Sequence, residues 1–199
     1  MTYIALATRR ILLAFPLLAV LAACDTSPTT TDQPDAGTIT FSYQGAGPNG
    51  DIAGTYRAEG YPRADIEPAR QTYAVGHRYP GAQTIEAISN ASHGEVFDFA
   101  TLTIPRLTPG TVVIDRFCGT DHCPELTVAL EIPQVHGAQA RYSCTLETGS
   151  ITITSVNGGR AKGRFSGEGF CGGRPGAAGL DRFTVQDGEF DVRLRDAQG

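Results

Sequence analysis

Long apolar runs are nearly missing from these 199 residues. The one clear case, Ile11 to Ala23, is 13 residues long and interrupted by Pro16. A membrane-spanning helix needs roughly 20 residues, so this run does not qualify as one. No second long run follows, and the rest of the chain is expected to be soluble. A sustained 3.6-residue apolar period is also missing, which argues against a helical domain. Basic residues are outnumbered, 16 against 21 acidic, so nucleic acid and anionic lipid are poor electrostatic partners. There is no G-x-S-x-G, no H-E-x-x-H, no Walker A loop and no G-x-G-x-x-G between strand and helix. The common hydrolase, zinc-protease and nucleotide-binding signatures are therefore excluded, and no internal repeat is present.

What is there begins with Leu21-Ala22-Ala23-Cys24, closing an apolar run that follows Arg9-Arg10. Basic n-region, short h-region and small residues before a thiol form the pattern of a bacterial lipoprotein signal. Residues 1–23 are expected to be removed and Cys24 to be acylated, leaving an exported, envelope-located protein. Thr8-Arg9-Arg10-Ile11-Leu12-Leu13 also loosely fits a twin-arginine export signal. Asp25, next to Cys24, favours inner-membrane retention in some bacteria, and the choice of membrane stays open. Residues 1–23 hold two arginines and no acid, so the mature chain carries 14 basic and 21 acidic residues, net −7. Acyl groups must then supply the membrane affinity, at about 0.8 kcal/mol per buried methylene. Asp25 to Gly37 has no large apolar residue and reads as a disordered tether, which with Cys24 makes residues 24–37. Residues 38–199 form one expected domain.

That domain alternates with period two, the pattern of strands. Thr38 to Tyr43, Glu125 to Ile132 and Glu189 to Leu194 each have one apolar and one polar face; Val96 to Ile104 and Thr111 to Phe117 are apolar on both. In the last third, Arg141 to Glu147, Ser150 to Val156, Ala161 to Gly167 and Arg182 to Gln186 alternate with turn residues. Thr148-Gly149, Asn157-Gly158-Gly159 and Asp187-Gly188 supply the positive φ of hairpin turns, so an antiparallel meander is expected. About ten short strands point to an all-β antiparallel β-sandwich, with a closed lipocalin-like β-barrel as the alternative. Ala64 to Tyr73 is the one weak helix candidate, and Gly45 to Gly50 suits a turn.

Beyond Cys24 the cysteines are Cys118, Cys123, Cys144 and Cys171. An even number in an exported chain reads as two disulfides, with three possible pairings. Cys118–Cys123, which would staple a turn, and Cys144–Cys171 are favoured. A metal site of Cys118, His122 and Cys123 is the competing reading, but a second ligand pair is missing. His77, His93, His122 and His136 form no paired ligand motif and read as loop residues. Asp187, Glu189 and Asp191 lack the calcium-loop pattern. Tyr56, Tyr61, Tyr73 and Tyr79 either line a sugar- or peptide-binding face or pack in the core and rim, the latter being favoured. Acids are scattered, and none is singled out as half of a glycosidase pair.

Gly149-Ser-Ile-Thr-Ile-Thr154, Gly163-Arg-Phe-Ser-Gly167 and Phe183-Thr-Val-Gln-Asp-Gly-Glu-Phe-Asp-Val192 resemble the C-terminal strands of uncharacterised small bacterial lipoproteins. The clear similarity covers about 50 residues and implies a β-sandwich-like lipoprotein without catalytic residues. Arg164 stands where Thr is common, and Gln186 replaces a usual Thr. Gly54-Thr55-Tyr56 is more distantly similar to a lipocalin motif whose third residue is Trp, a residue this chain lacks.

The expected function is that of a non-enzymatic module with no cofactor, anchored to the membrane by its acyl groups and binding an unknown protein or glycan. A carrier of a small apolar ligand and an unrecognised hydrolase are the alternatives. The first predicts an interior cavity near 300 Å3. The second predicts a cleft of titratable groups with shifted pKa values.

Overall fold

A computed structural model describes residues 36–48, 50–64, 71–89, 98–115, 118, 123–133, 139–174 and 179–196. The lipidation residue Cys24, tether residues 25–35, His93, His122 and His136 lie outside them, and the tether is corrected at its end, because Gly37 opens the first strand. Ten strands and no helix occur among the described residues. They are β1 (Gly37–Ala46), β2 (Ile52–Gly60), β3 (Tyr73–Tyr79), β4 (Ala82–Ser89) and β5 (Asp98–Ile104), then β6 (Gly110–Asp115), β7 (Glu125–Pro133), β8 (Gln139–Asn157), β9 (Arg160–Arg174) and β10 (Leu180–Asp196). The all-β class is as expected. The helix candidate is corrected at its end: Tyr73 opens β3, and most of the remaining candidate lies outside the described residues. β-Branched and aromatic side chains from Tyr73 onward satisfy a pleated, half-buried surface better than a helix.

The pairing order is β2-β1-β10-β3-β4-β5-β7-β8-β6, with β9 bonded to both β10 and β8. Every pair is antiparallel except β10–β3, in which Leu194 to Asp196 run beside Gly76 to Arg78. Pairing thus runs from β3 through β4, β5, β7, β8 and β9 to β10 and back to β3. The result is a sandwich-like β fold. Its neighbours do not follow chain order, as those of an up-and-down lipocalin-type barrel would.

The expected antiparallel meander is present as β8, β9 and β10, but two of its expected turns do not separate strands. Arg141 to Glu147 and Ser150 to Val156 belong to one strand, β8, and Arg182 to Gln186 and Glu189 to Leu194 belong to one strand, β10. Thr148-Gly149 follows a bulge at Glu147 and Asp187-Gly188 lies at another, marked by register shifts between Leu146 and Thr148 and between Val185 and Gly188. Gly149 has φ 151°, and a Cβ there would lie 2.2 Å from the Ser166 carbonyl oxygen. Of the three turn signals only Asn157-Gly158-Gly159 makes a hairpin turn, with positive φ at both glycines.

Each bulge flips the alternation, because one extra residue exchanges the two faces of a strand. Before its bulge β8 buries Tyr142, Cys144 and Leu146; after it, Ile151 and Ile153. β10 buries Phe183 and Val185, then Phe190, Val192 and Leu194. β9 needs no flip and buries Ala161, Phe165 and Cys171 in a single phase. These side chains join Ile39, Phe41, Ile85, Leu102, Leu126 and Val128 in one core cluster. A smaller cluster of Tyr73, Val75 and Ile88 packs with Phe99.

β6 and β7 pair with consecutive stretches of β8: Asp115 lies opposite Thr148, and Thr127 opposite Thr145. They are two pieces of one strand line, and Cys118 and Cys123 lie between them in the chain. These two cysteines are joined, with Cα atoms 5.9 Å apart. Cys144 and Cys171 face each other in the β8–β9 ladder and are also joined, with Cα atoms 3.9 Å apart.

Candidate functional site

The polar residues that alternate with the core face outward across β2, β1, β10, β9, β8 and β6. In register, Arg57 lies opposite Thr40, Thr40 opposite Glu189, Glu189 opposite Arg164, Arg164 opposite Thr152, and Thr152 opposite Thr111. One row of charges and hydroxyls therefore spans six strands. Strand spacing sets its side chains about 4.8 Å apart. A second row runs Glu59, Thr38, Asp191, Lys162 and Ser155.

Two open grooves lie along these rows. One, of about 610 Å3, follows the β10 bulge and is lined by Ser150, Thr152, Arg164, Ser166, Asp187 and Glu189, among others. The other, of about 570 Å3, is lined by Thr38, Thr40, Arg57, Thr154, Lys162 and Asp191, among others. Arg164 and Glu189 border both. Asp187 sits at the bulge with φ 50°, a left-handed conformation that Asp tolerates better than most side chains.

Seven charged side chains on and beside this face form ion pairs. Arg164 Nε is 3.2 Å from Glu189 Oε1, and Arg57 pairs with Glu59 along β2. Asp191 is held by Arg160 at 2.9 Å and Lys162 at 2.8 Å. Partial burial raises the Asp191 pKa, but hydrogen bonds from Lys162 and Arg160 outweigh it and hold the carboxyl below its ordinary value. The Thr111 and Thr152 hydroxyls are 2.9 Å apart. Phe165 and Phe190 are buried, so they offer no ring for sugar stacking on this side. The face offers a lattice of donors and acceptors with balanced charge, suited to hydrogen bonding along an extended polar partner.

No protein-family model, no curated protein and no solved structure matches this chain.

The aromatic candidates separate into different roles. Tyr56 is buried and stacks on Phe41 with ring centroids 4.8 Å apart, while its hydroxyl donates to the Ala87 carbonyl at 2.9 Å. Desolvation, then the nearby Asp98 charge, pushes its pKa up, although an Ala100 backbone hydrogen bond opposes this. Tyr73 is buried too, donates to Glu86 and is raised mainly by desolvation. Arg195 lies over the Tyr61 ring at 3.9 Å and donates to its hydroxyl at 2.7 Å. Tyr79 is 46% exposed, with His77 as an aromatic neighbour at 6.1 Å. These four tyrosines do not form one face.

Asp187, Glu189 and Asp191 all lie on β10, and the last two serve ion pairs. Among the described residues no group of three or more His, Cys, Asp or Glu is arranged to hold a metal ion. The competing ligand His122 is outside the described residues. The rows through Arg164 and Lys162 were not anticipated from the sequence. Their outward positions are readable strand by strand, but their alignment depends on registers that the bulges reset.

Proposed function

We propose that this protein is a non-enzymatic binding module, tethered to the bacterial envelope through an acylated Cys24, which presents the creased outer face of β1, β8, β9 and β10 to an extended polar partner. The row from Arg57 to Thr111 carries this reading. Six strands hold it in register, so its donors and acceptors are ordered before a partner arrives and little entropy is lost on binding. Glu59, Glu189 and Asp191 on this face each have a cation partner, which suits recognition better than proton transfer. The other described groups with shifted pKa values are the tyrosines Tyr43, Tyr56 and Tyr73, outside the two grooves.

Lys162 is the only lysine of the chain and lies on this face. An amine-reactive bifunctional cross-linker applied to intact cells should therefore capture the partner through it. Capture should vanish in Lys162→Arg and fall at least tenfold in Arg164→Glu. Capture that persists in both variants would refute the assignment of the face. Cys24→Ala should abolish fatty-acid labelling and membrane retention; labelling that survives would refute the anchor.

A further inference from the structure

Among the described strands the pairing order ends at β2 and at β6, and these two edges are protected unequally. β2 carries the Arg57–Glu59 ion pair on its outward face. Charges of this kind discourage another strand from adding to an edge. β6 reads Gly-Thr-Val-Val-Ile-Asp and has no lysine, arginine, proline or register shift. Its one neighbour among the described strands is β8. Val113, on its outward face, is 66% exposed, the most exposed large apolar side chain in the described structure. Val112 is partly buried and packs on the core from this edge, and Ile114 is buried in it.

We infer that β6 is a pairing edge for a second copy of this chain, joined antiparallel about a two-fold axis at Val113. The strand is self-complementary in that register. Val113 would meet the partner's Val113 on the outer side, and Val112 would meet the partner's Ile114 on the core side. Thr111 would face the partner's Asp115, so the single charge of the strand meets a hydroxyl instead of a like charge. Registers centred on Val112 or Ile114 lose this match: one sets Thr111 against the partner's Val113, the other sets Val113 against the partner's Asp115. The outer face would then continue across the dimer as one sheet, with the row that ends at Thr111 meeting the partner's Asp115. Six residues form a small contact, well under the roughly 1,000 Å2 of a stable interface, so the pairing is weak and best read by covalent trapping.

The test uses the full chain in intact cells. Residues directly opposite in an antiparallel pair have Cβ atoms about 4.5–5.5 Å apart, so Val113→Cys should form a disulfide-linked dimer under mild oxidation. Thr111→Cys alone should not, because its counterpart lies four positions away, about 13 Å along the strand. Thr111→Cys co-expressed with Asp115→Cys should give the mixed dimer. In solution, the purified full chain should show a concentration-dependent dimer by sedimentation, and Val113→Lys should weaken it at least tenfold. No Val113→Cys dimer, equal cross-linking at Thr111 and Val113, or a cross-link to a different protein would each overturn the proposal. A wild-type chain that stays monomeric at every concentration would overturn it as well. Val113 is largely exposed, so these changes leave the core intact.

Discussion

Replacing Tyr56 by Phe isolates one hydroxyl that joins two parts of the fold. Tyr56 comes from β2, and its hydroxyl reaches across the core to the Ala87 carbonyl of β4 at 2.9 Å. The Ala100 backbone of β5 also bonds it. Ala87 and Ala100 are directly opposite in the β4–β5 ladder, and both are fully buried. Phe keeps the ring on Phe41 and removes the polar bridge. Losing one net hydrogen bond and leaving a buried backbone group poorly satisfied costs about 2 kcal/mol. At about 3 °C per kcal/mol for a domain of this size, the melting temperature should fall by about 6 °C.

The same change has a pH signature. The folded pKa of Tyr56 is raised, so its stabilising contribution is fully present below the unfolded value of about 10 and is lost as pH rises towards the folded value. A wild-type tyrosine that stays protonated in the fold lowers stability by about 1.4 kcal/mol for each pH unit above that point. The variant lacks one such group. Its deficit should be full at neutral pH and shrink by more than half near pH ~11. Chemical denaturation followed by circular dichroism at both pH values measures this. A melting temperature within 1 °C of wild type, or a deficit independent of pH, would refute the reasoning. Tyr73, raised for the same main reason, still titrates in both proteins and serves as an internal reference.

Two further outcomes follow from the disulfides and from Asp191. Cys144 and Cys171 are buried whereas Cys118 and Cys123 are partly exposed, so mild reduction and alkylation should label the latter pair first. Replacing Cys144 and Cys171 together by serine should cost about 2–4 kcal/mol in unfolding experiments; equal labelling rates for the two pairs would contradict the assigned burial. Asp191→Asn removes a carboxylate whose pKa is depressed in the fold, so wild type should be ahead by under about 1 kcal/mol above the ordinary carboxylate pKa. That advantage should disappear as pH falls through the lowered folded value. A difference that persists in acid titrations down to about pH 2 would assign the effect to packing instead of charge.

Much of the fold was legible because period-two alternation is a local property. The strands around Thr38 to Tyr43, Glu125 to Ile132 and Ala161 to Gly167 lie where their patterns placed them. β3 and β4 were not delimited, since Ala74, Ala87 and Gly76 are buried without being strongly apolar. The bulges were read as turns because an Asp-Gly or Thr-Gly step serves either purpose. One signal could have separated them: inward positions change from even to odd between Leu146 and Ile151 and from odd to even between Val185 and Phe190, opposite an uninterrupted β9. The candidate face was less legible than the fold. Arg164 and Glu189 are 25 positions apart in sequence, and only the β9–β10 register makes them neighbours.

The parallel pairing of β10 with β3 also bears on how the chain comes to be folded. On one side β1 pairs with residues 136 to 153 positions later, from Ala46 opposite Arg182 to Thr38 opposite Asp191, and β3 is joined by the last described strand. Neither half of the sheet can close until the C-terminal segment has been made and delivered. Such long-range pairing slows folding and leaves strand edges open meanwhile. The last described strand therefore acts as the latch that commits the whole domain.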